Sequence, residues 1–253
     1  MQVRESRGVT SRAESARSRK KLELELNAAA DPAQAAGMAR FFKTGKGEYG
    51  EGDKFLGISV PAQRKIALRY RSLPLVEIAN LLQSPWHEHR FCALEILVHE
   101  YERGDEAAKR KIFRFYLQNT AGINNWDLVD TSAPYIVGAH LLHRSRRLLD
   151  RLAKSKSLWE RRIAIVATLS LIRHGEIDDT FRIAEALLGD RHDLMHKAVG
   201  WALRETGKVS RPALLRVIET HYAAMPRTAL RYAIEHLPPE QRKEILAGRF
   251  RPI

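Results

Sequence analysis

Two aspartates and a tryptophan stand close together in the run Asn125-Trp-Asp-Leu-Val-Asp130. If this run is helical, Trp126 and Asp130 are four residues apart and share one face, while Asp127 is turned partly away. A carboxylate beside an indole on an open surface could stabilise a positive charge. The spacing alone favours a plainer interpretation, in which Asp127 or Asp130 caps the helix and Trp126 packs in the core.

Three other patterns resemble reactive or ligand-binding motifs but do not have the context those motifs require. The segment Gly45-Lys-Gly-Glu-Tyr-Gly50 spells G-x-G-x-x-G, yet it follows no predicted β-strand, so we interpret it as a mobile loop. His192 and His196 could share a helix face, but no third metal ligand is visible in the sequence. The single cysteine, Cys92, falls on an apolar helix face where burial is the ordinary fate of a thiol. We therefore expect no metal site and no thiol nucleophile.

Apolar residues recur at helical spacing almost without a break from Lys21 onward. The segments 73–82, 91–101 and 163–172 each predict one helix. Ser or Pro before several segments and Gly after others are the usual signals of helix starts and stops. No convincing alternating segment is bounded by hairpin turns. The sequence therefore predicts an all-α protein.

One helix of each predicted pair begins with a similar pattern, a polar or basic residue followed by small and branched apolar residues. The pattern starts at Arg90, Arg162 and Lys197, and the same register includes Trp126 and Thr228, so the steps are 31 to 36 residues. This period, with two helices per unit, is typical of an α-solenoid, which is curved and has a concave face. Side chains one and two repeats after Asp130 could meet it on that face; they are Trp159, Arg161, Arg162 and Trp201.

The chain is strongly basic, with 43 Lys and Arg against 30 Asp and Glu, a formal net charge of +13. Because 44% of its 253 residues are hydrophobic, it is not a disordered polycation. No apolar run approaches the roughly twenty residues of a membrane span, and no secretory h-region follows the N-terminal charges. We expect a protein of the reducing cytosol whose partner is a polyanion. A carboxylate on a phosphate-binding surface would repel the bound polyanion, which is unexpected in a protein that only binds. Its presence therefore indicates a catalytic role.

Five segments occur in the order found in a known family; they are residues 41–57 with Val60, Pro61 and Arg64, and residues 125–130, 159–163, 197–205 and 225–233. With them the chain resembles the AlkD-type DNA alkylation repair proteins over about residues 22–247. The resemblance implies HEAT-like helical repeats wrapped around duplex DNA. It also implies excision of N3- and N7-alkylated purines without a metal or any other cofactor.

The resemblance further implies roles for individual residues. The catalytic carboxylate matches Asp130, and the two indoles that flank the lesion nucleotide match Trp126 and Trp201. The family's arginine matches Arg162, where the choice over Arg161 rests on register. The other DNA-binding candidates are Lys43, Lys54, Arg64, Lys65, Lys197, Arg227, Thr228 and Arg231. One domain is predicted over residues 21–253, after a polar, basic tail at residues 1–20 for which disorder is one interpretation.

These residue types suit the chemistry that the family performs. A purine alkylated at N3 or N7 is already cationic, and the deoxyribose becomes positive as the base departs. A carboxylate about 4 Å away, at an effective dielectric near 20, contributes on the order of 4 kcal/mol, or roughly a thousandfold in rate. Each indole face adds roughly 0.5–2 kcal/mol. The prediction is a monofunctional alkylpurine DNA glycosylase that acts as a monomer in the cytoplasm, on the DNA of the nucleoid.

Two other classes of function stay open on the residues alone. A non-catalytic repeat protein that binds branched or distorted DNA would use the same basic face, because a repeat fold does not dictate function. A HEAT scaffold for other proteins would have no use for the net charge of +13. Release of methylated bases from duplex DNA in the presence of a chelator would separate the enzyme from both.

Overall fold

A computed structural model describes residues 3–250, with the side chains of residue 14 and of residues 16–250. Every regular element in this part of the chain is helical, which confirms the all-α prediction. The chain divides into two compact units, Met1–Ser132 and Ala133–Ile253. The single domain over residues 21–253 stays a prediction.

The first unit is built around one buried helix, α5. Its described helices are α1 (Val3–Ala28), α2 (Pro32–Phe41), α3 (Val60–Arg69), α4 (Leu75–Leu82), α5 (His87–Arg103), α6 (Glu106–Gln118) and α7 (Trp126–Ala133). A 3-10 turn at Thr120–Gly122 precedes α7. Because α1, α3, α4 and α6 all pack against α5, the first eight residues of α5 are buried. Its buried polar side chains must therefore find partners inside the unit.

Helix α1 begins inside the segment that the sequence analysis assigned to an N-terminal tail. Arg19 donates from Nε to the Glu77 carboxylate on α4 at 2.7 Å. Leu22 and Leu26 follow on the same helix and are fully buried. From Arg19 onward α1 is therefore attached to the first unit.

The second unit is a layered set of helices. It contains a π-helical turn at Pro134–Gly138 and then α8 (Ala139–Leu141), α9 (Arg147–Ala153), α10 (Leu158–Arg173), α11 (Asp178–Leu187), α12 (Asp193–Val209), α13 (Arg211–His221), α14 (Arg227–Ala233) and α15 (Pro239–Leu246). Helix α10 packs against α12 and α12 against α14, while α9 packs against α11. Helices two apart in the chain thus stack in layers, as helical repeats do.

The predicted repeat starts fall near the beginnings of helices. Trp126 is the first residue of α7, and Thr228 is the second residue of α14. Arg90 is the fourth residue of α5, and Arg162 and Lys197 are the fifth residues of α10 and α12. The architecture agrees with the predicted α-solenoid of helical repeats, whereas the concave basic face stays a prediction.

Short side chains start several of these helices. Asp31, Asp105 and Ser157 accept bonds from backbone N–H groups in the first turns of α2, α6 and α10. Ser59 precedes α3 without such a bond, and Pro61 occupies the first turn there instead. Short polar side chains and a proline therefore mark the starts of these four helices.

Candidate functional site

Trp126 and Asp130 both belong to α7, as the spacing predicted. The helix starts where the Asn125 side-chain oxygen accepts a bond from the Trp126 backbone N–H at 2.8 Å. Trp126 and Asp130 are half-buried and lie one turn apart on the same face. The buried hydroxyl of Tyr116 has its pKa raised, mainly by burial and also by the nearby Asp130 charge. The Asp130 carboxylate therefore lies near the buried Tyr116 hydroxyl, at the edge of the first unit's core.

Aromatic rings fix the orientation of the Trp126 indole. The Phe42 ring stacks on it with centroids 5.2 Å apart and an interplanar angle of 16°. Phe41 meets it edge-on at 5.9 Å and is itself 66% exposed. Such pairs contribute about 0.5–1.5 kcal/mol each beyond the area they bury. The indole is thus held by the end of α2, a segment far from it in the sequence.

The stack continues inward to a buried histidine. Phe42 stacks on Phe55 at 5.0 Å, and Phe55 stacks on the His87 imidazole at 4.6 Å. Phe42 also contacts the His87 ring at 5.1 Å. Three consecutive stacking contacts therefore connect the surface indole of Trp126 with the first residue of α5.

His87 lies between two carboxylates. Its Nε2 is 2.7 Å from Asp127 Oδ2, and its Nδ1 is 3.3 Å from Asp53 Oδ2. Asp53 also accepts from Asn125 Nδ2 at 3.1 Å and pairs with the Arg90 guanidinium at 2.7 Å. The other oxygen of Asp127 accepts the Leu128 backbone N–H at 2.9 Å. Asp127 is therefore engaged by His87, not directed to the face shared by Trp126 and Asp130.

The charges in this cluster shift one another's protonation. Burial alone would lower the pKa of His87, but the Asp127 and Asp53 carboxylates raise it to about 9. Burial likewise opposes ionisation of Asp53, yet His87, Arg90 and Asn125 hold its pKa below the usual value. The two shifts favour a protonated His87 beside an ionised Asp53 at neutral pH.

The segment before α3 is fixed to the start of α5. The Lys54 backbone N–H donates to Pro85 O at 3.0 Å, and its carbonyl accepts from the His87 N–H at 2.8 Å. The buried Glu88 carboxylate accepts the Gly57 N–H at 2.9 Å. Gly57 has φ +83, and a Cβ there would lie 2.1 Å from a backbone oxygen, so only glycine fits. Asp53 is therefore presented to His87 by a segment of fixed conformation.

The four predicted DNA-binding cations of the first unit are all exposed; they are Lys43, Lys54, Arg64 and Lys65. Lys43 has φ +52, a conformation that is uncommon for lysine. The Lys54 ammonium lies 6.0 Å from the centroid of the Trp86 ring. Arg64 pairs with Glu95 at 3.2 Å, and the same oxygen accepts from the Thr131 hydroxyl beside Asp130 at 2.6 Å. Arg64 is thereby connected to α7.

The second unit engages both of its candidate arginines. The Arg162 guanidinium is buried, and its Nη1 donates to Leu194 O at the start of α12 at 2.7 Å. Arg161 pairs with Asp190 at 2.6 Å and donates to Ser155 O at 3.0 Å. Each arginine thus has a bond inside the unit, and the choice of Arg162 as the DNA anchor stays a prediction.

Trp201 lies half-buried on α12, beside a groove of the second unit. The groove is also lined by Leu169, Ile172, Arg173, Glu205, Lys208 and Val209. Within the described part of this unit, no aromatic ring contacts the Trp201 indole. The convergence of Trp126, Asp130, Arg162 and Trp201 on one surface stays a prediction.

The remaining candidate cations of the second unit lie on α12 and α14. Lys197 pairs with Asp193 at 2.7 Å, and the Thr228 side chain bonds to the same carboxylate. Arg227 is exposed and donates to Leu246 O at 3.0 Å. Arg231 is exposed on α14. The structure thus brings Lys197 and Thr228 together through a shared acid.

The patterns set aside in the sequence have structural partners of their own. Gly45 and Gly47 donate backbone N–H groups to the Glu48 and Glu51 carboxylates at 2.9 and 2.8 Å, so this loop binds its own acids. Cys92 is fully buried, and burial raises the pKa of its thiol. In residues 3–250, no three His, Cys, Asp or Glu side chains are placed to hold a metal ion. The helices described there include none that could cross a bilayer.

Sequence reasoning missed the cluster around His87. Its partners Asp53 and Asp127 lie 34 and 40 residues away in the chain, so no spacing rule connects them. The available signal was the density of charged residues at the start of an otherwise apolar helix, since buried charges require partners. Arg90 was identified only as a marker of the repeat.

The fold and the α7 face define a class of protein: layered helical repeats in a basic chain that hold an indole and a carboxylate on one helix. The sequence profile described as DNA alkylation repair enzyme matches residues 22–237. The chain belongs to the DNA alkylation repair enzyme family. No curated protein matches its sequence significantly.

A solved structure shares the fold. It is titled a predicted DNA alkylation repair enzyme from Enterococcus faecalis, and it superimposes with a TM-score of 0.64 at 18% sequence identity. The similarity covers 83% of this chain and 97% of that one. At this identity the likeness supports the helical architecture, while the AlkD-type specificity stays a prediction.

Proposed function

We propose that this protein is a monofunctional DNA glycosylase that excises N3- and N7-alkylated purines from duplex DNA. Membership of the DNA alkylation repair enzyme family supports a role in DNA repair. The observation that carries the glycosylase reaction is the shared face of α7, where an indole with a fixed orientation lies one turn from the Asp130 carboxylate. The proposed enzyme acts as a monomer and uses no metal or other cofactor.

The proposed reaction breaks the bond between C1′ of the sugar and the purine nitrogen. The electron pair leaves with the base and neutralises its positive charge. The sugar becomes an oxocarbenium ion, to which a water adds, and the water's proton passes to the carboxylate or to solvent. Asp130 stabilises this cation and positions the water, and Trp126 and Trp201 present their π faces to it.

We further propose that the exposed cations bind the phosphates that flank the lesion. They are Lys43, Lys54, Arg64, Lys65, Lys197, Arg227 and Arg231, with Thr228 as a hydroxyl donor. We assign Arg162 the same role, because a planar guanidinium can contact a phosphate through two N–H groups at once. Each neutralised phosphate releases counterions, and affinity should fall steeply with salt.

The decisive test is Asp130→Asn with methylated duplex DNA in the presence of a chelator. We expect release of 7-methylguanine to fall at least tenfold while DNA affinity is equal or tighter, because a carboxylate repels the phosphates. Asp178→Asn, which removes an exposed carboxylate from α11, is the matched control and should release base like the unmodified protein. Chromatographic quantification of free base gives the rate.

Two results would contradict the proposal. Unchanged release by Asp130→Asn would remove this carboxylate from the mechanism. Tight binding without any release by the unmodified protein would instead favour the alternative of a repeat protein that recognises distorted or branched DNA without catalysis.

A further inference from the structure

The contacts of His87 join three segments that are far apart in the chain. Asp53 belongs to the segment before α3, His87 is the first residue of α5, and Asp127 is the second residue of α7. The two nitrogens of one imidazole reach both acids, at 3.3 and 2.7 Å. The His87 and Asp53 side chains are 3% and 5% exposed, so solvent does not replace these bonds.

Both ring nitrogens face carboxylate oxygens, so both must carry a proton for both contacts to be favourable. The charged groups around the ring are Asp53 from the loop, Asp127 from α7 and Arg90 from α5 itself. Two uncharged rings, Phe42 and Phe55, also contact the imidazole, at 5.1 and 4.6 Å between centroids. The raised pKa of His87 agrees with an imidazolium held in this environment.

The same imidazole supports the surface indole through a second route. Phe42 contacts both the His87 ring and the Trp126 ring, at 5.1 and 5.2 Å. His87 thus reaches Trp126 in two ways, through the Phe42 ring and through Asp127, the residue next to Trp126 in α7. A shift of the imidazole would move the indole and the first turn of α7 together.

We propose that His87, with Asp53 and Asp127, is a positioning residue of the proposed glycosylase. It fixes the first turn of α7, and therefore Trp126 and Asp130, relative to the segment that carries Lys43 and Lys54. This inference rests on the proposed function. The group does not touch the substrate and takes no part in bond breaking.

A buried ion network is a poor device for stability alone, because the cost of removing charges from water offsets most of their attraction. Apolar side chains of similar volume would fill the space between Phe55 and α7 as well. What the charges add is direction, since an imidazolium between two carboxylates has one favourable ring orientation. In catalysis, misplacement by about 1 Å can cost a hundredfold in rate.

The first experiment compares His87→Gln with His89→Gln in single-turnover release of 7-methylguanine. His89 is the matched control because it is also buried on α5 and bonds to Ser84 Oγ at 2.9 Å, away from α7. We expect His87→Gln to release base at least tenfold more slowly and His89→Gln to stay within about threefold of the unmodified protein. Circular dichroism checks that each variant is folded.

Asp127→Asn supplies a second route to the same test if His87→Gln does not fold. The asparagine oxygen can still accept from His87 Nε2, but the charge that favours the imidazolium is gone. We expect an intermediate loss of rate that grows between pH 7 and pH 9, whereas a merely structural role would lower stability without altering the pH profile of the rate.

The second experiment does not depend on base release. With 5-fluorotryptophan incorporated, the fluorine resonance of Trp126 can be assigned by its loss in Trp126→Phe. We expect this resonance to shift with a midpoint near pH 9 in the unmodified protein and in His89→Gln, and to show no such titration in His87→Gln. This readout follows the indole directly.

Each outcome decides a separate point. Equal release by the two folded histidine variants, or a Trp126 resonance that does not change from pH 6 to 10, would overturn the positioning role. If the unmodified protein released no methylated base, the proposed function would fail, and the fluorine titration would still decide whether His87 positions the indole.

Discussion

Arg90 in the first unit and Arg162 in the second occupy corresponding positions of the helical repeat, yet they serve different contacts. Both guanidiniums are buried, and each donates to a backbone carbonyl at 2.7 Å, Arg90 to Ser84 O and Arg162 to Leu194 O. Arg90 also pairs with the Asp53 carboxylate and so joins the cluster around His87. Arg162 joins its own helix to the next one in the stack, α12.

The difference shows that the same repeat position can make different contacts in the two units. In the second unit the arginine makes a connection that any pair of stacked repeats could use. In the first unit the Arg90 guanidinium pairs with the Asp53 carboxylate, which also accepts a bond from Asn125 just before α7. Loss of the Arg90 guanidinium would leave the buried Asp53 carboxylate without one of its partners, whereas loss of the Arg162 guanidinium would remove a donor from the Leu194 carbonyl.

The largest expected effect follows from removing Arg90. Arg90→Ala leaves Asp53 with only His87 and Asn125, and breaking a buried pair in this way costs about 3–5 kcal/mol. Urea denaturation followed by circular dichroism measures the change in the free energy of unfolding. A loss below 1 kcal/mol would mean that Asp53 finds a replacement partner and does not depend on Arg90.

The second prediction compares how the histidines of the two units respond to pH. The pKa of His87 is raised from 6.5 to about 9. Protonated His87 therefore contributes about 3 kcal/mol to the free energy of unfolding; this contribution is complete below pH 6.5 and is lost as the pH rises through 9. His192 in the second unit has its pKa lowered, chiefly by burial, and its contribution is lost in the opposite direction, as pH falls. Free energies of unfolding at pH 6.5 and pH 10 test the alkaline limb.

The matched variants are His87→Gln and His192→Gln. The first should abolish most of the loss of stability between pH 6.5 and pH 10, and the second should leave that loss unchanged. If His192→Gln flattened the alkaline limb instead, the protonation assigned to His87 would be wrong.

The sequence predicted those parts of the molecule that depend on near neighbours. Apolar periodicity indicated the helices, and a separation of four residues placed Trp126 and Asp130 on one face of α7. The repeat register marked Arg90 and Arg162 because each begins a similar pattern, a basic residue followed by apolar residues. Each of these features depends on the geometry of a single helix or on a repeated local pattern.

The rest depended on contacts that the chain makes at long range. Asp127 was interpreted as a residue turned partly away from the α7 face, and the cluster that it joins through His87 also needs Asp53, which the segment from Lys43 to Gly57 supplies. That path depends on a lysine with φ +52 and on a glycine that no side chain could replace. Backbone conformations of this kind are not encoded in spacing, so the cluster could not be assembled from the sequence.

The smallest effect concerns Arg162 itself and sharpens the comparison most. Arg162→Ala leaves a buried carbonyl without its donor, which costs about 1–3 kcal/mol, less than the loss expected for Arg90→Ala. If Arg162 also anchors a phosphate, both DNA affinity and base release should fall. Arg162→Lys separates the two roles, because an ammonium can bond to Leu194 O but cannot make the forked contact of a guanidinium. For Arg162→Lys we expect a near-normal free energy of unfolding and weaker DNA binding, measured by fluorescence anisotropy. If both variants bound DNA normally, Arg162 would only link one repeat to the next.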